Sequence, residues 1–219
     1  MYHKLTFTFL LFSIIVTAAI GQTTPVEIVV GNKRASIDLL LVKYIKNKKQ
    51  EKTNLLLFNR NRAVASYGIT KTTNLPQFSV TDAISIDIKK WSGVAPLAVL
   101  QVLNSGIYPK LGIRYLKIKN NITLFSWAVV DVLHNPNIEL FLLGRYTPKL
   151  GTQLHLYTQI ELLHTIPTQL NRSFIFTQRV RIGFKISNAA FGLATDINEI
   201  GRHKYNSVIN NGIFYRYEF

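Results

Sequence analysis

The sequence predicts an all-β fold, a closed antiparallel barrel whose strands cross a membrane. Apolar and polar residues alternate with period two through many short segments, the pattern of strands with two unlike faces. Of the 219 residues, 47% are hydrophobic and only 17% are charged. A typical soluble domain has about 25% charged residues. No run of roughly 18 apolar residues follows the N-terminal region, so strands rather than helices would have to cross the membrane.

The first 21 residues have the organisation of a secretory signal peptide. Lys4 supplies the positive charge and residues 5–16 form an apolar core. Residues 17–21 form a small-residue stretch of the kind that signal peptidase cleaves. We therefore expect residues 1–21 to be removed and residues 22–219 to form one barrel domain. The alternative is a membrane anchor, but the apolar core is short for a membrane-spanning helix.

The exported chain is strongly basic and lacks cysteine. Lys4 is the only charged residue among residues 1–21, so their removal lowers the net charge from +15 to +14. Such a charge predicts an anionic neighbour. Export argues against nucleic acid, so anionic lipid headgroups or anionic solutes in a lumen fit better. Without cysteine, the chain has no disulfide, thiolate chemistry or zinc–cysteine site, and its stability must come from strand pairing and burial.

Twelve segments show a strand pattern, and most have 9–13 residues, the length that a tilted strand needs to cross a bilayer. The count falls to ten if the two weakest segments are not strands, and an even number is expected when both chain ends lie on one side. The segments are 23–30, 35–46, 54–67, 79–88, 95–104, 108–119, 122–133, 138–146, 152–164, 172–186, 191–198 and 207–219.

Polar, Gly- and Pro-containing stretches separate these segments. Segments 95–104 and 122–133 are mainly apolar, so the sequence does not assign their faces. In segment 108–119 the alternation reverses at Leu116, which predicts a β-bulge. The predicted connections are the charged turn 47–52, the loop 68–78, the turns 104–106, 120–121 and 134–137, and the polar surface loop 199–206.

Segments 152–164, 172–186 and 191–198 alternate most clearly. In 172–186 the apolar set is Phe174, Phe176, Val180, Ile182 and Phe184, and the opposite set is Thr177, Arg179, Arg181, Gly183 and Lys185.

The last segment, SVINNGIFYRYEF, places Ile213, Tyr215, Tyr217 and Phe219 on one face and ends on the aromatic ring. This ending resembles the C-terminal strand of bacterial outer-membrane β-barrels, which finish on Phe with aromatic residues two and four positions earlier. The resemblance implies a location in the outer membrane, in contact with its lipid. It also implies that these four residues are recognised by the barrel-assembly machinery during insertion.

A soluble β-sandwich would also show alternation and is the main structural alternative. Segments of 12–14 residues are longer than the five or six residues usual in soluble sheets. Full charges occur in mid-strand, where burial in a dry sandwich would be costly. Aromatic residues also lie near strand ends, as in an interfacial girdle: Tyr115, Tyr146, Phe174, Tyr217 and Phe219. We therefore favour the barrel.

If the charged faces point inward, the lumen contains a charge network. It could be a salt-bridge network that fills a closed barrel, or a narrow water path with a cationic lining; twelve strands lie between filled and open barrels. The excess of basic residues favours the path. The predicted members are Arg60, Arg62, Arg114, Glu139, Arg145, Glu161, Arg179, Arg181, Lys185, Asp196, Arg216 and Glu218, with Asp38 and Lys110 on the same faces.

Arg60 and Arg62 share one face of their segment. Two guanidinium groups at this spacing can grip one anion. The alternative is that both join the salt bridges of the lumen.

The leading functional hypothesis is passive transport of small, anionic solutes through a narrow lumen. The second is a closed structural or accessory subunit of an outer-membrane complex. The third is a lipid-modifying enzyme that would pair His155 with Ser126 or Ser173. No catalytic, nucleotide-binding or metal-binding motif supports an enzyme, and we predict no cofactor and no metal.

Overall fold

The computed structural model describes residues 24–68, 77–133 and 136–219. The predicted signal peptide lies outside these residues, as do most of the loop 68–78 and His134 in the predicted turn 134–137. Those predictions remain predictions.

Twelve strands follow one another in the described residues, with a single short 3-10 turn at Lys89–Trp91 between the fourth and fifth. The strands are β1 (Pro25–Gly31), β2 (Arg34–Lys46), β3 (Lys52–Ser66), β4 (Gln77–Ile86), β5 (Val94–Leu103), β6 (Gly106–Lys119), β7 (Ile122–Asp131), β8 (Asn137–Tyr146), β9 (Leu154–Pro167), β10 (Phe174–Ile186), β11 (Ala189–Gly201) and β12 (Tyr205–Glu218).

Each strand pairs antiparallel with its neighbours in the chain, and β1 pairs with β12 to close the ring. The closing register runs from Pro25 opposite Glu218 to Gly31 opposite Gly212. The closed antiparallel barrel of twelve strands is therefore confirmed. The count of ten and the β-sandwich are wrong, because the described strands form one closed sheet rather than two stacked layers.

Alternation along each strand separates an apolar exterior from a charged and aromatic interior. On the exterior, Ile182, Leu193 and Ile213 are 54%, 68% and 62% exposed. Next to Ile182 and Ile213 in sequence, Arg181 and Phe214 point inward and are buried. The inward and outward faces predicted for segments 152–164, 172–186, 191–198 and 207–219 are those of the structure.

The antiparallel order gives the barrel two distinct ends. Both Pro25 and Glu218 lie at one of them, which we call the termini end, together with the β2–β3, β4–β5, β6–β7, β8–β9 and β10–β11 turns. The other end, which we call the far end, has the β1–β2 turn of residues 32–33 and the other connections that join an odd-numbered strand to the next.

The reversal of alternation at Leu116 is not a bulge. Strand β6 pairs with β7 in unbroken register from Lys110 opposite Asp131 to Lys119 opposite Ile122. Leu116 faces inward in phase with Lys110 and Arg114 because the interior at that point is apolar. A shift of register occurs instead between β2 and β3, at Tyr44–Lys46.

The polar stretch 199–206 is mostly strand rather than a surface loop. Pairing of β11 with β12 continues to Gly201 opposite Tyr205, so only residues 202–204 form the turn. Polar residues are compatible with a strand here because this hairpin is at the far end, where its side chains are largely exposed.

One side of the interior is an apolar core. Phe58 stacks on Phe125 with 5.3 Å between ring centroids, and Trp127 and Phe141 complete the cluster, with their centroids 4.6 Å apart. Aliphatic side chains of β2 to β8 pack around the rings. This core explains segments 95–104 and 122–133: their outward residues form the apolar exterior, and their inward residues Leu97, Val99, Phe125, Trp127 and Val129 are buried in the core.

A polar group interrupts the apolar exterior at mid-wall. Asn59 and Asp82 are directly opposite each other on β3 and β4, on the outward phase of both strands. The amide nitrogen of Asn59 donates to Asp82 Oδ1 at 2.6 Å, and that of Asn61 donates to Asn59 Oδ1 at 2.8 Å. No prediction from the sequence included this group.

Candidate functional site: the charged interior

An ion pair connects opposite walls of the barrel. Arg60 on β3 places Nη1 2.8 Å from Oε1 of Glu161 on β9, and these strands are six positions apart around the ring of twelve. The Nε of Arg60 also donates to both oxygens of Asp38, at 3.0 and 3.1 Å. Glu161 is 2% exposed and accepts a further hydrogen bond from Arg179. We call Asp38, Arg60, Glu161 and Arg179 the mid-height bridge.

A second set of ion pairs lies beside the bridge, on the strands that close the barrel. Arg181 on β10 donates to Asp196 Oδ1 at 2.8 Å and to Glu27 Oε1 at 2.9 Å, and Arg62 donates to Asp196 Oδ2 at 3.1 Å. Arg216 lies 3.8 Å from the other oxygen of Glu27. Each carboxylate thus holds two guanidinium groups from different strands.

Smaller polar groups occupy the two ends. Towards the far end, Lys110 binds Glu139 at 2.6 Å, and Glu139 also accepts the indole N–H of Trp127 at 3.1 Å. Near the termini end, Arg114 donates to Ser85 at 2.8 Å and pairs with Asp87.

Two more polar groups lie at the termini end on the other side of the interior. Lys185 binds Glu218 at 2.6 Å. Arg145 donates to Gln159 Oε1 from Nε at 3.0 Å and from Nη2 at 2.8 Å, and the hydroxyl of Tyr157 donates to the same oxygen at 2.9 Å.

All twelve residues predicted for the lumen lie on the inward phase of their strands. The structure divides them among several groups rather than one network, because the apolar core separates Lys110, Glu139 and Arg114 from the arginine-rich side. Arg60 and Arg62 share a face, as predicted, but bind different carboxylates.

Within the described strands and turns, four inward charged residues were not among the predicted members: Glu27, Arg34, Asp87 and Asp131. Glu27 lies between the apolar residues Val26 and Ile28, and this alternation is enough to assign its side chain to the inward face. Asp87 continues the polar face of segment 79–88, so alternation also assigns its face, whereas Asp131 lies in the mainly apolar segment 122–133, where alternation assigns none.

Polar recesses open at both ends of the barrel. At the termini end, a recess of about 540 Å³ is lined by basic and amide side chains that include Lys149, His155, Lys185, Asn120 and Asn121. At the far end, a recess of about 250 Å³ lies beside Tyr108 and Asp131. The termini-end recess is adjacent to the inward basic residues of β10.

The histidine and serine residues considered for an enzyme are not brought together. His155 faces inward at the termini end, opposite Lys185. Ser126 is between the inward-facing Phe125 and Trp127 and therefore points to the exterior. Ser173 precedes Phe174, at the far end.

The closed ring and its two faces determine where such a chain can reside. A closed sheet pairs its strands without a free edge, and an apolar exterior replaces contact with water by contact with lipid. A closed antiparallel barrel with an apolar exterior and a polar interior is the architecture of outer-membrane proteins. The chain is an outer-membrane β-barrel. In the described part of this barrel, no helix is long and apolar enough to cross a membrane.

No family model and no curated protein matches the sequence of this barrel. Among solved structures, it is similar to an outer-membrane channel from Pseudomonas putida F1, with 12% identity over 91% of this chain and 96% of that chain and a TM-score of 0.49. It is also similar to the NanC porin, with 7% identity over 91% and 99% of the two chains and a TM-score of 0.49. At identities this low, the likeness concerns the fold alone.

Proposed function

We propose that this barrel is a narrow channel for small anions, closed at mid-height by the bridge of Asp38, Arg60, Glu161 and Arg179. The observation that carries the proposal is a basic stripe along β10. Lys185, Arg181 and Arg179 all face inward, and they extend from the termini-end recess to the bridge. Each of the three contacts a carboxylate, but basic groups outnumber acidic ones on this side of the interior, and a net positive charge on a low-dielectric wall attracts small anions.

The bridge is the part of this path that must move. Arg60 reaches across the interior to Glu161, so the side chains of opposite walls meet at this level. Breaking a buried ion pair is costly when it leaves a charge without a partner. Here Glu161 also binds Arg179 and Arg60 also binds Asp38, so rotation of Arg60 away from Glu161 leaves both charges paired.

Planar-bilayer recording tests the proposal. We expect small, infrequent conductance steps from the native barrel, with a reversal potential in a salt gradient that favours anions. The double variant R60S with E161S removes the ion pair that crosses the barrel and keeps the net charge. It should make the conductance steps larger and more frequent. Reversal of charge at Arg179 and Arg181 should weaken the preference for anions.

The matched control is the pair Lys110 and Glu139, a buried ion pair of similar geometry outside the basic stripe. The variant K110Q with E139Q should leave conductance at the native level. Silence of the native barrel and of the bridge variant at every voltage, with both proteins correctly folded, would rule out the channel.

A permanently closed barrel, acting as a structural or accessory subunit of an outer-membrane complex, is the second candidate. The stacked rings of Phe58, Phe125, Trp127 and Phe141 favour it, because they fill one side of the interior with well-packed apolar groups. The same recordings separate the two candidates, since this one predicts no steps from any of the variants.

A further inference from the structure

Besides Arg181, three arginines lie near Asp196, from the level of the bridge towards the far end. Arg62 donates to Asp196 at 3.1 Å, and Arg179 is directly opposite Asp196 in the register of β10 and β11. Arg34 reaches the next inward residue of β11, Asn198; with the Asn198 amide oriented by its hydrogen-bonding partners, its oxygen accepts from Nη1 at 2.7 Å and from Nη2 at 3.2 Å. The Asn198 nitrogen then donates to Thr177 Oγ1 at 3.2 Å.

These arginines carry buried donors that the protein leaves unused. Arg62 is 6% exposed, and among the described residues its Nε and Nη1 have no hydrogen-bond partner. In the same part of the chain, the Nε atoms of Arg34 and Arg179 also lack one. Buried N–H groups are almost always paired, and a cluster of unpaired ones calls for a missing acceptor.

The charge balance of the surrounding side chains points to the same kind of group. Among the described residues, seven basic side chains of this side of the interior share five carboxylates, so two positive charges remain without a counterion. Buried charges require compensation by an opposite charge. The basic members are Arg34, Arg60, Arg62, Arg179, Arg181, Lys185 and Arg216, and the acidic members are Glu27, Asp38, Glu161, Asp196 and Glu218.

We propose that Arg34, Arg62 and Arg179 form a binding site for a small oxyanion, such as a carboxylate or a phosphate-type ion. The planar guanidinium presents several N–H groups in a fixed geometry, which suits an anion with two or more acceptor oxygens better than a spherical halide. Arg34 is only half-buried and lies towards the far end, so it provides the entrance from solvent. The identity of the ligand rests on the proposed function: the oxyanion that binds here is the one that passes through the channel.

Thermal unfolding of the purified, detergent-solubilised barrel tests the site. At fixed ionic strength, sodium chloride is replaced in steps by sodium acetate, sulfate or phosphate. A ligand that binds only the folded state raises the unfolding temperature with the logarithm of its concentration. We expect this rise with at least one oxyanion, and we expect R62Q to weaken the apparent affinity at least tenfold.

The sign of the R62Q effect separates binding from a structural role. At low oxyanion concentration R62Q should unfold at the native temperature or above it, because it removes one of the excess positive charges while Asp196 stays paired with Arg181. A structural Arg62 would instead make R62Q less stable at every anion concentration. R114Q is the matched control, because Arg114 has partners at Nε, Nη1 and Nη2 and lies outside the site. It should unfold at a lower temperature and keep the native response to oxyanions.

Equal responses of the native barrel and R62Q, or no response of the native barrel, would overturn the site. If R62Q does not fold, R34Q provides the same comparison at the entrance. Binding is measured at equilibrium and without flux. If the barrel binds oxyanions but never conducts, the binding site is supported and the channel is ruled out. If the barrel conducts but shows no oxyanion response, the channel is supported and the binding site is ruled out.

Discussion

The rings of Tyr157 and Phe214 lie 5.4 Å apart although two strands separate β9 from β12. The residues between them in the same row of the sheet are Gly183, opposite Tyr157, and Gly192, opposite Phe214. Because neither glycine has a side chain, the two rings lean over the gap and meet inside the barrel. Paired glycines of this kind also let a sheet bend sharply, which a closed barrel requires.

Alanine at Gly183 should therefore destabilise the barrel. Its Cβ would be 2.0 Å from the carbonyl oxygen of Phe191, a contact that only backbone movement can relieve. Overpacking of this kind costs about 1–3 kcal/mol. Urea unfolding of the refolded protein in lipid vesicles, followed by tryptophan fluorescence, measures the change. The control G151A, whose Cβ would meet nothing closer than 3.9 Å, should stay near the native stability. Equal stability of G183A and G151A would show that the sheet does not need a glycine here.

A double-mutant cycle should detect coupling between Tyr157 and Phe214. Aromatic pairs contribute about 0.5–1.5 kcal/mol beyond the burial of their area, so the loss in Y157L with F214L should be smaller than the sum of the single losses by that amount. Urea unfolding of the four proteins provides the free energies. The same cycle between Phe214 and Phe125, which belongs to the separate apolar core, should show additive losses. Additivity in both cycles would contradict the contact.

Replacement of the polar pair Asn59 and Asp82 by leucine should stabilise the barrel in lipid or leave its stability unchanged. Both residues lie on the outward phase of their strands, where a carboxylate facing the bilayer is unfavourable. Removal of both partners leaves no carboxylate without a donor, and only the neutral amide of Asn61 loses its acceptor. We expect N59L with D82L to unfold at an equal or higher urea concentration in vesicles, whereas N59L alone should lower it because Asp82 loses its donor. A large loss of stability in the double variant would mean that the pair is needed by the folded wall.

Replacement of Phe219 by alanine should reduce the amount of barrel in the outer membrane of cells. Ile213, Tyr215 and Phe219 lie on the exterior of β12 or at its end, and the ring of Phe219 contacts Tyr217 at 4.8 Å. We predict that the assembly machinery reads this terminal signal, so F219A should accumulate less in membranes while its refolding into synthetic vesicles stays at the native rate.

Tyr146 is the matched control for Phe219, an exposed aromatic residue of the exterior at the same end of the wall. Y146A should reach the outer membrane at the native level. Equal membrane levels of F219A and the native protein would remove the assembly role of this residue.

The sequence by itself determined the strands and their faces. Period-two alternation depends only on the backbone of an extended strand, so Ile182 and Arg181 were assigned to opposite sides of the wall without knowledge of their neighbours. The same reasoning placed Phe214 and Arg216 on the face opposite Tyr215. It failed where both faces are apolar, as in 95–104, because alternation disappears when the interior is as apolar as the membrane.

Only the tertiary structure decided which inward side chains meet. Arg60 and Glu161 are 101 residues apart, and their contact depends on closure of the ring, which brings β3 opposite β9. The division of the interior into an apolar core and an arginine-rich side has the same origin. Alternation assigns each side chain to one side of the wall, whereas strand number and register determine what it faces across the barrel.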